Sequence, residues 1–190
     1  MRRALYALAL CALAACAGAP PEPAKATDTA ASTSSCSSVG EAPSAQQGAD
    51  AQALRGATER GPAFATLRAA SPVQTCSVRY EPGVVEIEWR MRDGGWLRVA
   101  RDARIELYSQ EVHLVTPPAE EPGAWLKKAA TAAFGEGSCG IDWRHAESET
   151  PSSEPGTTEQ VFRGDACNCQ ARLRRDSAQR VVGATLRRAC

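Results

Sequence analysis

Cysteine is the residue type in this chain with the widest range of chemistry. The 190-residue sequence has eight cysteines, and two of them, Cys167 and Cys169, are separated only by Asn168. Two thiolates at that spacing could act as a redox pair or bind a soft ion such as Cu(I) or Zn²⁺, and Cys139 and Cys190 could complete a four-cysteine zinc site. The sequence has no Cys-x-x-Cys motif and no histidine near the pair. A thiol-redox or metal-binding protein is therefore one of two hypotheses.

The amino terminus indicates a different role for Cys16. Two arginines follow Met1, and residues 4–15 form an apolar run that is shorter than the roughly 20 residues a membrane-spanning helix needs. This is the pattern of a secretory signal peptide. The run ends in Leu-Ala-Ala followed by Cys16, which resembles the lipobox of bacterial lipoproteins.

The resemblance implies that residues 1–15 are a cleaved signal peptide and that Cys16 becomes the lipidated first residue of the mature chain. Its thiol would carry a diacylglyceryl group and its new amine an acyl chain, and several chains together exceed the marginal anchoring of one. Ala17, in place of Asp, implies the outer membrane, with the protein facing the periplasm. Ordinary secretion, with cleavage at a nearby Ala-x-Ala site, is the other interpretation.

Residues 16–59 are predicted to be the lipidated cysteine and a disordered tether. The segment consists of Ala, Pro, Ser, Thr, Gly and Gln with almost no large apolar side chain, so it cannot bury enough surface to offset the entropy of ordering. A coil of about 40 residues has a root-mean-square reach of roughly 35 Å. The remaining residues, 60–190, fit one domain.

Disulfide bonds are the simplest use of the cysteines that remain after signal cleavage and lipidation, because an even number in an oxidising envelope predicts a disulfide framework. The candidates are Cys76, Cys139, Cys167, Cys169 and Cys190. One bond is expected to join Cys190 to either member of the Cys-Asn-Cys pair, and another to join Cys76 to Cys139 or to the other member. Cys36, inside the tether, is expected to be free or to bond another chain.

Charge excludes one class of partner and suggests another. Loss of the two N-terminal arginines leaves 20 basic and 22 acidic side chains, a formal charge of about −2, so no overall positive charge favours nucleic acid. Alternation along the C-terminal strands places Arg172, Arg174 and Arg187 on one exposed face. They could contact anionic headgroups, peptidoglycan carboxylates or an acidic protein, or they are simply a solvated strand face.

The two histidines give weak support for catalysis. His113 lies in a strand pattern, and neither histidine has a nucleophile motif such as Gly-x-Ser-x-Gly beside it. Asp142 and Glu147 could orient His145 as a general base, but three polar residues in such a loop-edge stretch are common. We therefore expect no catalytic residue, no cofactor and no metal.

The elements that position these residues predict an α+β domain. Pro62 begins one short helix, and a second has Glu120 and Glu121 at its start and ends at Gly135 or Gly137. Apolar and charged residues alternate over 85–92, and the pattern continues as a three-stranded meander to residue 114, with a bulge near Ser109 explaining a change of parity.

Beyond the second helix, residues 139–145 predict a short strand and the last residues a hairpin, with Leu173 opposite Val182. The fold class is therefore α+β: a small antiparallel sheet of a three-stranded meander plus a C-terminal hairpin, one or two helices, and disulfide staples.

Together these features predict a membrane-anchored envelope lipoprotein whose domain is not an enzyme. The domain would bind a protein or an envelope polymer. An inhibitor or immunity-type role, in which the tethered domain blocks another enzyme's site, fits a small disulfide-stapled lipoprotein. The alternative is the thiol-redox or metal-binding lipoprotein built on Cys167 and Cys169.

Overall fold

A single broad sheet organises the protein. The computed structural model describes residues 35–40, 42–115, 121–135, 139–147 and 149–190, and the expected signal peptide and Cys16 lie outside these ranges. The strands are β1 (Ser37–Gly40), β2 (Val73–Glu81), β3 (Val84–Met91), β4 (Trp96–Asp102), β5 (Leu107–Leu114), β6 (Thr150–Pro151), β7 (Thr157–Arg163), β8 (Gln170–Asp176) and β9 (Val181–Ala189). They are ordered β1-β2-β3-β4-β5-β9-β8-β7-β6, with β1 parallel to β2 and every other neighbouring pair antiparallel.

Three helices pack on one face of this sheet. They are α1 (Ala45–Glu59), α2 (Pro62–Ala70) and α3 (Pro122–Phe134). The first two lie over β3 and β4, and α3 lies over β8 and β9. The core is between the two layers, where Ile87, Trp89, Leu97 and Leu186 are almost completely buried. None of the described helices combines the length and the apolar character needed to cross a bilayer.

The predicted small sheet is wrong, although the α+β class fits. The meander and the C-terminal hairpin belong to one nine-stranded mixed sheet because β5 pairs directly with β9. That pairing places His113 of β5 opposite Thr185 of β9. It was not predicted because the periodicity of one segment does not indicate which distant segment pairs with it. The strands β1, β2 and β7, at or next to the two edges of the sheet, were missed because they contain many polar residues and are held by backbone pairing with their neighbours.

Two local predictions also fail. The register of β4 and β5 runs without a shift from Leu107 to His113, so there is no bulge at Ser109. The parity changes because a turn over residues 103–106 separates the strands, with Glu106 at φ 51°. Residues 139–145 contribute only an isolated bridge, from Ile141 to Gly164.

The C-terminal hairpin forms as predicted but with a different register. Its irregularity lies between Arg174 and Arg175, so Leu173 faces Ala184 and not Val182. The difference is two residues, which in a strand leaves every side chain on its expected face. The predicted placement of Ala171 and Leu173 on a buried face therefore agrees with the structure, where both are at most 1 % exposed.

The folded unit also begins before the expected boundary at residue 60. Within the range expected as tether, the structure contains β1 and α1, and α1 starts with a capping box formed by Ser44 and Gln47. The helix is rich in alanine, which has the highest helix propensity, and it buries Ala51 and Leu54 against the sheet. The sequence of α1 has the composition of a linker because Leu54 is its one large apolar side chain. Its small alanines nevertheless let the helix pack closely on the sheet.

Both predicted helices are present with their predicted ends. Pro62 occupies the first turn of α2, and Pro122 that of α3. The Glu121 side chain caps α3 by accepting hydrogen bonds from the backbone N–H groups of Gly123 and Ala124, and these bonds lower the pKa of its carboxyl. Gly135 ends the helix at φ 82°, where a residue with a side chain would be strained.

Candidate functional site

The six described cysteines form three disulfides, which confirms the prediction that disulfide bonds are present. The pairs are Cys36–Cys76, Cys139–Cys169 and Cys167–Cys190. Cys190 thus bonds one of its two expected partners, whereas Cys76 bonds Cys36, which was expected to be free or linked to another chain. The reason is the parallel pairing of β1 with β2, which aligns Ser37 with Ser77 and brings the two preceding cysteines to a Cα separation of 4.5 Å.

The Cys167-Asn168-Cys169 segment does not hold two thiols that face each other. Cys167 and Asn168 both adopt left-handed backbone conformations, at φ 54° and 46°, and the turn sends the two sulfurs to different partners. Cys169 is 1 % exposed and is bonded to Cys139 inside the core, while Cys167 bonds the last residue of the chain. Among the described residues there is no group of three or more Cys, His, Asp or Glu side chains placed to hold a metal ion.

His145 and its expected partners lie at the surface. The Nδ1 atom of His145 is 2.8 Å from an Asp142 carboxylate oxygen, and 83 % of the His145 side chain is exposed. Glu147 does not join them because its carboxylate pairs with Arg163. The arrangement is a solvent-exposed hydrogen-bonded pair, in which the hydrogen bond from the imidazole lowers the pKa of Asp142.

The three predicted arginines lie together on the sheet face opposite the helices, which we call the open face. Arg172 and Arg174 are on β8 and Arg187 is on β9, and the register puts Arg172 opposite Thr185. Arg172 pairs with Glu159 at 3.4 Å, and Arg174 pairs with Glu154. Two of the three positive charges are thus matched by carboxylates. Arg187 is exposed and follows Leu186, whose side chain points to the core.

An aromatic cluster lies at the centre of the open face. The rings of Trp96 and His113 stack with centroids 5.5 Å apart and an interplanar angle of 16°. The guanidinium of Arg98 also lies over the Trp96 ring, 5.0 Å from its centroid. Sequence reasoning missed the cluster because it depends on the register of β4 with β5, which places Trp96 opposite His113. The only local signal was that Trp96 alternates out of phase with the buried Leu97 and Val99.

His113 is held as a neutral imidazole in this cluster. Its Nδ1 is 3.2 Å from the Thr185 hydroxyl, and its Nε2 is 3.5 Å from Nη2 of Arg174. Burial lowers the pKa of His113, and the charge of Arg174 lowers it further against the opposing charge of Glu154. Because Arg174 can only donate, Nε2 accepts and the ring proton resides on Nδ1.

The other half of the open face is a mosaic of paired charges. Glu88 accepts hydrogen bonds from Arg98 at 2.7 Å and 3.0 Å and from Arg90 at 2.6 Å. Burial by itself would raise the pKa of the Glu88 carboxyl, but these hydrogen bonds outweigh it, so the pKa lies below its usual value. Arg79 pairs with Glu86 on the adjacent strands. The face therefore presents both signs of charge around an aromatic centre.

No protein-family model, curated protein or solved structure matches this chain. Function must therefore be inferred from the residues, charges and geometry of the chain itself.

Proposed function

We propose that this protein is a cell-envelope lipoprotein, anchored in the outer membrane by acylated Cys16 and facing the periplasm, whose folded domain binds another protein through the open face. The domain acts by binding and not by catalysis. Three disulfides suit such a domain to an oxidising compartment. A blocking role, as an inhibitor or immunity-type protein, is the form of binding that a rigid sheet face on a tethered domain fits best.

The observation that carries the binding proposal is the aromatic cluster on the open face. Trp and Arg are enriched among the residues that dominate protein–protein binding energy. Here Trp96, His113 and Arg98 form one cluster on the open face, and the three helices that could have covered them pack on the opposite face. Trp96 is half-buried by its neighbours alone, so a partner could remove its remaining surface from water.

The charges favour a protein over an envelope polymer as the partner. A uniformly anionic polymer would meet Glu88, Glu111 and Glu159 as well as the arginines. A protein surface can instead match a mosaic of both signs, which gives specificity and orientation. Because Arg172 and Arg174 already have carboxylate partners, the face has little net positive charge to attract a polyanion.

Site-specific photo-crosslinking in the native host tests the binding proposal. A photoreactive amino acid at Arg187 should give a protein adduct of discrete mass, and Trp96→Ala should remove that adduct. The same amino acid at Arg68, an exposed arginine on α2, is the matched control and should give none. Adducts from position 68 alone, or from position 187 to a polymer alone, contradict the proposal.

The anchor is tested by Cys16→Ala. Without the thiol there is no site for the diacylglyceryl group, so we expect the variant to leave the membrane fraction completely. The measurement is sedimentation of membranes followed by extraction with high salt. Cys36→Ala, which removes a different cysteine and its disulfide to Cys76, should stay with the membranes. A Cys16→Ala protein that still sediments and resists salt would place the anchor elsewhere.

A further inference from the structure

A pocket on the other side of the sheet is independent of the open face. It lies where the three helices meet the ends of β5 and β9 and has a volume of about 360 Å³. Leu54, Pro62 and Phe134 supply apolar walls. Small-molecule sites in proteins have volumes of about 300–1,000 Å³ and are mostly apolar with a few polar groups. The pocket is therefore of a size that holds a small organic molecule.

The charged group of the pocket is Arg188. Successive side chains on a strand point to opposite faces, so Arg188 faces the helices while Arg187 lies on the open face. Its guanidinium carbon lies 5.8 Å from the centroid of the Tyr108 ring and 5.6 Å from that of Phe134. Its Nη2 donates to the side-chain oxygen of Gln110 at 3.2 Å. Gln110 is only 6 % exposed, whereas Arg188 is half-buried, with its guanidinium at the wall of the pocket.

Within the part of the chain that the structure describes, Arg188 has no negatively charged partner. No carboxylate in the described ranges forms an ion pair with it, and its Nε atom is buried without an acceptor. Tyr108 does not supply a charge, because burial raises the pKa of its hydroxyl even though Arg188 acts in the opposite direction. The guanidinium is half-buried, and its neighbours are the neutral Gln110 amide oxygen and Tyr108 hydroxyl. Neutral acceptors compensate a partly desolvated cation incompletely, and a carboxylate placed beside it would supply the missing charge.

We propose that this pocket binds a small organic monocarboxylate with an apolar body. The carboxylate pairs with the guanidinium of Arg188, whose planar fork suits two oxygens, and the body lies against Leu54, Pro62 and Phe134. Tyr108 also borders a second pocket of about 690 Å³, lined in part by Leu54 and Leu107. A longer apolar body can extend past the Tyr108 ring into this space.

Isothermal titration calorimetry on the full mature chain tests the proposal with three probes: butyrate, hexanoate and 3-phenylpropionate. We expect saturable binding that tightens from butyrate to the larger probes. The neutral amide, 3-phenylpropionamide, should bind about 10- to 100-fold more weakly, as expected for loss of a charge-assisted pair. Equal affinity for acid and amide, or no saturation with any carboxylate, overturns the proposal.

Two variants locate the binding at Arg188. Arg188→Met keeps the aliphatic stem and should lose the same 10- to 100-fold, whereas Arg187→Met, one residue away on the opposite face, should bind like the parent. Gln110→Glu is a second variant, which tests the same site even if Arg188→Met does not fold. It places a carboxylate 3.2 Å from the guanidinium, so it should abolish carboxylate binding without lowering the thermal midpoint. Undiminished binding by Gln110→Glu contradicts the proposed site.

Discussion

Trp89→Ala is expected to lower the free energy of unfolding by about 3–5 kcal/mol, the range for removing a large aromatic side chain from a core. Trp89 is 1 % exposed, and its ring meets Phe64 of α2 edge-to-face with centroids 5.5 Å apart. Its indole N–H points to the Glu59 carboxylate at the end of α1, 3.4 Å away. One side chain thus joins β3 to two helices, and its loss leaves a cavity between them. Urea denaturation followed by circular dichroism measures the change.

Trp96→Ala is the matched control for that experiment. The residue is the same and the strand is adjacent, but Trp96 is half-buried on the open face, where its ring stacks on His113 and meets the guanidinium of Arg98. Its removal should cost about 1–2 kcal/mol, the sum of one stacking and one cation–π contact at a partly exposed site. If Trp96→Ala destabilises as much as Trp89→Ala, then the open face is a packed surface and not a free one, and the proposed docking site is wrong.

The double variant Cys139→Ala, Cys169→Ala should lose about 3–4 kcal/mol of stability. The bond closes a loop with a sequence separation of 30, and in the chain-entropy model a loop of that size contributes about that amount. For a domain of this size the thermal midpoint should fall by about 7–15 °C. Scanning calorimetry without reductant measures the shift. Reductant added to the parent protein should lower its midpoint at least as far, because it also opens the other two bonds.

The same measurement separates the binding lipoprotein from the thiol or metal alternative. A chelator should leave the midpoint of the parent protein unchanged, and thiol titration of the unfolded, unreduced chain should find no reactive thiol among the six described cysteines. A midpoint that falls with chelator and ignores reductant would mean that Cys167 and Cys169 hold a metal. Three or more titratable thiols would favour the redox function.

Local sequence patterns determined which residues face the core. The alternation in β3 assigned Ile87 and Trp89 to the inner face, and that in the C-terminal hairpin assigned Arg172 and Arg187 to the outer face, as the structure has them. The ends of α2 and α3 were also readable, because proline and the Glu121 cap act within a few residues. Such signals depend on the chemistry of one segment and its own backbone, so a single sequence is enough to interpret them.

Tertiary structure alone decided which segments meet. The joining of β5 to β9, the pairing of Cys36 with Cys76 and the alignment of Trp96 with His113 each require a register between segments. The register between two segments depends on how well their surfaces pack and on the entropic cost of closing the loop that joins them. Neither quantity can be read from the sequence pattern of one segment. The same holds for Arg188. Only the meeting of three helices with the sheet places it beside a pocket, without a carboxylate partner among the described residues.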